Sequence, residues 1–308
     1  MSASISTALP VPVRANSSDD PAEILRFALD ALDRGRAALA TLVEIRGGAA
    51  RSLGAHLAVS SDGHYCGYLS GGCIEAAVAA EALEAIAVGA DRVVTYGEGS
   101  PFFDIVLPCG GGVTIAIHVL HAMEPLETVL YQLSARRTVA LSYDAKSQAV
   151  TRSETVPPRS GWYEGDFLSV YRPQTRVVIS GQTAEAEAVS RLAQASGYEV
   201  QLLSSSRNLD AIDIDTFTAV VLLHHDLDLE AVVLDRALQS PAFYIGALGS
   251  TRSHRRRTEL LRTAGVSSEC IDRIRAPIGL FGPTRDAASL ALSVLADVAA
   301  ARLETFPP

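Results

Sequence analysis

Apolar residues follow two periodicities along the chain, and together they predict an α/β protein. In the first 122 residues, continuous or alternating apolar runs predict strands, and helical spacing of apolar residues predicts helices. The predicted elements are a helix at 22–34, strands at 37–44, 53–60 and 64–69, a helix at 73–88, and strands at 92–96, 104–107 and 113–120.

From residue 175 onward, the pattern changes to a regular alternation of short apolar strands and helices. Strands are predicted at 176–180, 199–203, 219–224 and 243–247, helices at 184–196 and 229–239, and a last helix at 287–303. Such alternation is typical of a parallel, doubly wound sheet. The predicted fold class is therefore α/β, with an N-terminal α/β domain followed by a C-terminal Rossmann-like doubly wound parallel sheet.

A chain of 308 residues exceeds the size at which one hydrophobic core usually stops growing, so two domains are expected. Residues 1–20, rich in Ser, Ala and Pro, are predicted to form a mobile tail. The N-terminal domain is assigned to 21–122 and the Rossmann-like domain to 174–308. Residues 123–173 contain polar and proline-containing stretches and are interpreted as a bridging region.

Composition and charge exclude several classes of protein. A net charge of -9 and a pI near 5.3 disfavour nucleic acid as the main partner, because phosphate binding needs a basic surface. No apolar run reaches the roughly 18 residues that span a bilayer, and the first 20 residues lack a signal-type apolar core. We therefore expect a cytoplasmic protein, without membrane segments, whose four cysteines are reduced thiols.

The first segment that carries chemistry is the turn at residues 70–73, which leads from a strand into a helix. It consists of Ser70, Gly71, Gly72 and Cys73. A thiol at a helix start meets free N–H donors and the positive end of the helix dipole, which favour an anion and lower a thiol pKa. Cys73 could therefore be a nucleophile or a ligand. Alternatively, the glycines make a tight turn and Cys73 is a small core residue.

Glu75 lies two residues beyond Cys73 and has two interpretations. Its carboxylate could accept from the Gly72 amide in the manner of a capping box. It could instead transfer protons in a catalytic role.

A second loop places Cys109 before three glycines, the first two being Gly110 and Gly111. Glycine backbone can approach a ligand closely. If the strands at 65–69 and 113–120 are neighbours in one sheet, Cys73 and Cys109 could meet at one rim, with Cys66 as a further candidate.

The Rossmann-like half departs from the usual dinucleotide pattern. Thr183 replaces the second glycine after Gly181, and serines followed by Arg207 stand where an acidic residue would bind a ribose. Ordinary NAD(P) binding is therefore disfavoured. A phosphorylated ligand held by these serines and Arg207, or a purely structural layer, remain the alternatives.

Two further segments are predicted to lie at strand ends of this half. His224 and His225 follow a strand at its carboxyl end, where ligands bind in open α/β sheets. Gly249, Ser250 and Arg252 lead into a helix with four arginines, with Ser250 as the N-cap. An anionic ligand or an acidic partner could dock there. The alternative is a solvated basic face.

Taken together, these segments resemble the XdhC/CoxI family, the accessory proteins of molybdenum hydroxylases. The resemblance covers residues 36–120 and 175–303. It is carried by ATLVEIRG, LSGGCIEAAV, CGGGVTIAI, AVVLLHHDLDLE, YIGALGSTRSHRRRTELLRTAGV, APIGL and SLALSVLADV.

The resemblance implies a chaperone that binds the molybdenum cofactor (molybdopterin) transiently and has no turnover of its own. It would support sulfuration of the cofactor by a cysteine desulfurase and deliver it to an apoenzyme of the xanthine dehydrogenase or carbon monoxide dehydrogenase type. We expect a homodimer. The residues assigned to cofactor binding are Ser70, Gly71, Gly72, Cys73, Cys109, Gly110, Gly111, His224, His225, Gly249, Ser250 and Arg252. Cys73 and Cys109 are the candidates for contacting molybdenum or passing on sulfur.

Two other hypotheses stay open at this point. One is an oxidoreductase that binds NAD(P) or another nucleotide and uses Cys73 or His224 on a small substrate. The other is a redox or metal sensor that uses Cys66, Cys73 and Cys109.

Overall fold

The computed structural model describes residues 9–98, 110–203 and 213–307. The chain divides into two compact units, Met1–Pro173 and Gln174–Pro307. Three parts of the sequence predictions lie outside the described residues, namely the strand at 104–107, Cys109, and the serines with Arg207. None of the helices in the described ranges is both long and apolar enough to cross a membrane.

Unit 1 contains two sheets and three helices among its described residues. Its elements are β1 (Val13–Asn16), α1 (Pro21–Arg34), β2 (Ala37–Arg46), β3 (His56–Ser60), β4 (His64–Gly67), α2 (Glu75–Val88), β5 (Arg92–Gly97), β6 (Gly112–Val119), α3 (Glu124–Ser134), β7 (Val139–Asp144), β8 (Ala149–Arg152), β9 (Gly161–Tyr163) and β10 (Asp166–Tyr171).

The larger sheet of unit 1 has the strand order β1-β4-β3-β2-β6-β5 and is antiparallel except where β1 pairs with β4. Side chains alternate between its two faces along β2. Ala38, Ala40 and Leu42 pack in the core on the α2 side, whereas Ala37 and Leu39 pack with α1 and α3. Both faces are covered, which explains why β2 is a continuous apolar run and not an alternating one.

Two regions of unit 1 differ from the sequence predictions. Residues 13–16, predicted to be part of a mobile tail, form an edge strand with Val13 opposite His64. Backbone hydrogen bonds to β4 hold this strand, and its side chains are mostly exposed. Its sequence therefore lacks the alternation of apolar residues that would predict a strand. The predicted bridging region contains α3 and an antiparallel sheet of order β8-β7-β10-β9. This sheet packs on the face opposite α2, with Leu141 and Tyr171 in the α1 core.

His56 lies between the two sheets of unit 1 and is 3% exposed. Its Nδ1 contacts Thr41 Oγ1 at 3.0 Å, and its Nε2 contacts the Tyr171 hydroxyl at 2.7 Å. Burial disfavours the charged imidazolium and lowers the pKa of His56 from 6.5 to about 4, although a hydrogen bond with the Ala40 backbone opposes the shift. The ring is therefore neutral in the folded protein at neutral pH.

We expect acid to destabilise the protein through His56. Between pH 6.5 and about 4 the unfolded chain binds a proton at this residue and the folded chain does not, so the free energy of unfolding falls as the pH is lowered. The loss should reach about 3 kcal/mol. Denaturant unfolding at several pH values measures it. His56→Gln should flatten this dependence, and His64→Gln, at a half-exposed site, should leave it intact. Equal slopes in wild type and His56→Gln would contradict the assignment.

Unit 2 contains one parallel sheet with helices on both faces. Its elements are β11 (Arg176–Ser180), α4 (Ala184–Ala195), β12 (Glu199–Leu203), β13 (Thr218–Leu222), α5 (Leu227–Gln239), β14 (Tyr244–Ala247), α6 (Thr251–Thr263), α7 (Ser268–Asp272), β15 (Ile274–Arg275) and α8 (Ala287–Thr305). The strand order is β12-β11-β13-β14-β15. Helices α4 and α8 pack in the core on one face and α5 on the other, which confirms the predicted doubly wound fold.

Candidate functional site

The 70–73 turn connects β4 to α2 at one edge of the larger sheet of unit 1. Ser70 is buried, whereas Gly71, Gly72 and Cys73 are exposed. The helix begins at Glu75 with Ile74 as its N-cap, so Cys73 lies just before the helix and not in its first turn as predicted. The exposure of Cys73 is the opposite of what a core residue would show. Its thiol is accessible to a ligand.

Glu75 anchors this turn from inside the protein. Its side chain is fully buried. Oε1 accepts from the backbone N–H groups of Leu69 at 3.0 Å and Ser70 at 2.8 Å, and Oε2 accepts from that of Ile74 at 3.2 Å. The carboxylate thus compensates three buried donors at once. The predicted capping of the Gly72 amide is wrong, because that amide donates to Ser70 Oγ at 3.3 Å.

Ser70 connects Glu75 to Cys73. Ser70 Oγ lies 3.0 Å from Glu75 Oε1 and 3.3 Å from Cys73 Sγ. A serine hydroxyl has one proton, and the Ser70 oxygen lies within hydrogen-bond distance of both carboxylate oxygens, at 3.0 and 3.1 Å, so this proton points to Glu75. The Ser70 oxygen then accepts from the Cys73 thiol. Glu75 therefore positions Cys73 through Ser70 and has no free oxygen facing solvent for a direct catalytic role.

The glycines leave space beside the thiol. Gly72 has a φ of +109°, which favours glycine, and a Cβ placed there would meet no atom within 4 Å. A Cβ on Gly71 would lie 3.9 Å from the Ala50 side chain, an ordinary contact. A ligand can therefore reach the backbone of the turn next to Cys73.

Gly110 and Gly111 lie at the same sheet edge as the 70–73 turn. Because of the antiparallel pairings, the carboxyl ends of β4 and β2 and the amino end of β6 lie at the same end of the sheet. Gly110 and Gly111 lead into β6 at this end. Strands β4 and β6 are not neighbours, however, because β3 and β2 separate them. Three strand spacings amount to roughly 14 Å. The meeting of Cys73 with Cys109 stays a prediction, since Cys109 is outside the described residues.

The loop after β2 fills part of this interval. A Cβ on Gly111 would lie 2.5 Å from the Arg46 carbonyl oxygen and 2.6 Å from that of Gly48, so only glycine fits there. Gly110 has a φ of +69° and open space around it. The second loop is thus tightly packed at Gly111 and open at Gly110.

Cys66 does not belong to this rim. It packs in the core on the α1 side of the sheet, opposite α2, and its thiol donates to Asn16 Oδ1 at 2.8 Å. Burial raises the pKa of Cys66. Within the described ranges, no group of three or more His, Cys, Asp and Glu side chains could hold a metal ion. Cys66 is therefore buried away from the 70–73 turn, which argues against a sensor that uses Cys66, Cys73 and Cys109 together.

Sequence reasoning missed two cations beside the turn. The guanidinium carbons of Arg14 and Arg51 lie 4.4 and 5.4 Å from the ring centroid of Tyr68, and Arg14 Nη1 donates to the Gly67 carbonyl at 3.3 Å. Arg51 also pairs with Asp19 at 3.3 Å. These arginines come from distant parts of the chain. The only local signal was an aromatic residue, Tyr68, two positions before the 70–73 turn.

In unit 2, His224 and His225 have different environments. His224 Nε2 lies 2.8 Å from Ser180 Oγ, at the point where β11 and β13 end side by side. Burial lowers the pKa of His224, while Glu230 and Asp226 oppose the shift. His225 is exposed. His224 therefore lies at the ends of these two strands, and the exposed His225 is near enough to the start of α4 for its charge to lower the pKa of Glu185.

Gly249, Ser250 and Arg252 lie at the next strand end, as predicted. Ser250 caps α6 by accepting from the Ser253 N–H at 3.2 Å, which confirms its predicted capping role. Gly249 has a φ of +130°, and Arg252 is exposed. The charge of Glu230 acts to raise the pKa of both His224 and His254, and His254 lies in the first turn of α6. The structure therefore brings these two predicted segments to one edge.

Two family models match the chain. Residues 31–97 match the XdhC and CoxI family, and residues 177–298 match the XdhC Rossmann domain. The molybdenum cofactor insertion chaperone PaoD of Escherichia coli K12 is 50% identical over 293 residues, which are 95% of this chain and 92% of PaoD. This chain belongs to the XdhC and CoxI family.

Two further similarities are consistent with this membership. The uncharacterized protein YqeB of E. coli K12 is 26% identical over 267 residues, covering 85% of this chain and 42% of YqeB. A crystal structure of a Bacillus halodurans protein, described as a xanthine dehydrogenase, matches with a TM-score of 0.73 at 20% identity, covering 92% of this chain and 96% of that one. That likeness supports the fold.

The family matches include some candidate residues and not others. The XdhC and CoxI match contains the 70–73 turn and Glu75, and the XdhC Rossmann match contains His224 and Ser250. Cys109 and the following glycines lie between the two matches.

Proposed function

We propose that this chain binds the molybdenum cofactor and inserts it into a molybdenum enzyme, as the name of PaoD describes for that relative. The observation that carries the proposal is the exposed Cys73 thiol in an open glycine turn that a buried carboxylate holds in place. A structural cysteine would be packed in the core. A delivery protein, in contrast, needs an accessible side chain to which the cofactor can bind and from which it can dissociate.

Cys73 is the residue that would contact the cargo. Its sulfur is a soft donor of the kind that binds molybdenum, and it could also carry sulfur as a persulfide. The open backbone at Gly72 and Gly110 gives the pterin space at the same edge, with Cys109 as the second candidate sulfur. Arg14 and Arg51 add positive charge beside the turn.

The finer parts of the proposal concern partners. The cofactor would be sulfurated by a cysteine desulfurase while it is held at Cys73, and then transferred to an apoenzyme of the xanthine dehydrogenase or carbon monoxide dehydrogenase type. An exposed thiol suits both steps, because sulfur donors and apoenzymes must reach it directly. We propose that the chaperone acts in the cytoplasm as a homodimer and turns over no substrate itself.

An oxidoreductase that binds NAD(P) is the second candidate, and the start of α4 argues against it. The Glu185 carboxylate bonds to the Thr183 side chain and to its own backbone N–H, which lowers the pKa of Glu185. A carboxylate thus occupies the helix start where a pyrophosphate would sit. Glu187 adds a second negative charge in that turn.

The test is to express the chain in cells with intact cofactor biosynthesis and to purify it without oxygen. We expect molybdenum and oxidised pterin to co-purify with it, and the loaded protein to activate a molybdenum hydroxylase apoenzyme. Absence of both molybdenum and pterin, from cells that make an active molybdenum enzyme, would contradict the proposal. Micromolar NAD(P) binding together with substrate turnover would favour the oxidoreductase.

A further inference from the structure

Three described helices start at the carboxyl edge of the unit 2 sheet and differ in charge, and α5 begins with the acidic residues Asp226, Asp228 and Glu230. Helix α4 begins with Glu185 and Glu187, whereas the first turn of α6 contains no acidic residue. From 250 to 262 the chain carries five arginines and one glutamate, in a protein whose net charge is -9. Arg252, Arg255 and Arg256 are exposed, and no carboxylate of the described residues pairs with them. The start of α6 is therefore a concentrated positive surface.

Arg257 has an unsatisfied donor and lies beside the loop that enters α6. Its side chain is 2% exposed, Nε and Nη2 bond to Glu230, and Nη2 also donates to the Leu248 carbonyl at 2.9 Å. Leu248 directly precedes Gly249, so the guanidinium lies against the loop that enters α6. Nη1 is buried and has no hydrogen-bond partner among the described residues. Buried donors are rarely left unpaired, so an acceptor is expected here.

His254 provides a second buried atom without a partner. Its Nδ1 makes no hydrogen bond within the described parts of the chain. Burial and the nearby Arg257 charge lower the pKa of His254, while Glu230 opposes the shift. The Ser250 and Ser253 hydroxyls, 3.2 Å apart, complete a set of polar groups at this helix start. The unpaired Arg257 donor, the hydroxyls and the free arginines are together suited to a tetrahedral oxyanion.

We propose that the loop from Gly249 to Arg252 and the first two turns of α6 bind the phosphate monoester of a small ligand. Arg252 and Arg255 supply charge from solvent, and Arg257 supplies a buried donor that Glu230 holds in place. Two ligands carry this chemistry, namely the pterin cofactor with its phosphate and a nucleotide. All residues named for this site belong to unit 2, so binding of phosphate there does not require the Cys73 thiol.

The test is calorimetric titration of the full chain with inorganic phosphate and with a nucleoside 5′-monophosphate, the unphosphorylated nucleoside being the control ligand. We expect Arg252→Ala combined with Arg255→Ala to weaken phosphate binding by at least about tenfold, because two charge-assisted contacts are removed. The matched control is Arg236→Ala combined with Arg262→Ala. It removes the same charge from the last turns of these two helices, Arg236 from α5 and Arg262 from α6. Arg262 lies about 15 Å from Arg252 along α6.

Arg257→Lys is the second variant, because it keeps a cation beside Glu230 and removes Nη1. It should weaken phosphate binding, and it should destabilise the protein less than Arg257→Leu does, because a cation still faces Glu230. Equal losses in both arginine pairs, or no binding of either phosphate ligand by wild type, would overturn the proposal. Competition between the extracted pterin cofactor and inorganic phosphate would identify the cofactor as the ligand, and nucleotide binding without such competition would identify a nucleotide.

Cys73→Ala separates this site from the proposed function. Loss of cofactor in that variant, with phosphate binding unchanged, is the expected result. Loss of phosphate binding in Cys73→Ala would overturn the independence of the unit 2 site.

Discussion

Replacing Glu75 with alanine is expected to lower the free energy of unfolding by about 3 kcal/mol, because the buried N–H groups of Leu69, Ser70 and Ile74 would each lose their acceptor. The 70–73 turn would also lose the group that holds it, so bound cofactor should decrease as well. Denaturant unfolding and the molybdenum content of the purified protein measure the two effects.

Glu84→Ala is the matched control for Glu75→Ala. Glu84 lies on the same helix, but its carboxylate is exposed and pairs with Arg92 at the surface. Exposed pairs of this kind contribute little to stability. A loss of stability in Glu84→Ala as large as that in Glu75→Ala would mean that the buried hydrogen bonds of Glu75 do not hold the turn.

Replacing Arg257 with leucine is expected to cost about 3–5 kcal/mol of unfolding free energy, because it leaves the Glu230 carboxylate buried without its partner. The side chains of this pair are 2% and 1% exposed, so water cannot compensate the remaining charge. The loop at Leu248 would lose a donor too.

A double-mutant cycle isolates this pair. Glu230→Leu alone should destabilise the protein comparably, and the double variant should be considerably more stable than the sum of the single losses predicts. Strictly additive losses would show that Arg257 and Glu230 do not interact in the folded protein.

The fold could be predicted from the sequence wherever side-chain burial sets the pattern. Among the described residues, the strands of the Rossmann-like half except β15 were predicted. The central strands β11, β13 and β14 are buried on both faces and largely apolar, whereas the edge strand β12 has polar residues at Glu199 and Gln201. The strands of 139–171 were missed partly because the turn between β7 and β8 uses Gln148 at a φ of +52°. A glycine or asparagine would have signalled that turn.

The candidate site was predicted in part for the same reason. Glycines and a polar residue between a strand and a helix are visible locally, so the turn around Cys73 was found. The role of Glu75 depends on how the turn folds back over the carboxylate, which local spacing does not encode. Arg14 and Arg51 meet at Tyr68 only through the pairing of β1 with β4 and the path of the loop after β2.

The central claim is that Cys73 holds the molybdenum cofactor, and the most direct test compares the molybdenum-to-protein ratio of two cysteine variants. Cys73→Ala removes an exposed thiol of unit 1, and Cys270→Ala removes a partly exposed thiol of unit 2. After anaerobic purification from cells that make the cofactor, Cys73→Ala should retain at least about tenfold less molybdenum than wild type, because loss of a metal ligand costs at least as much as loss of its supporting contacts. Cys270→Ala should match wild type. Equal molybdenum in Cys73→Ala and wild type would contradict the claim.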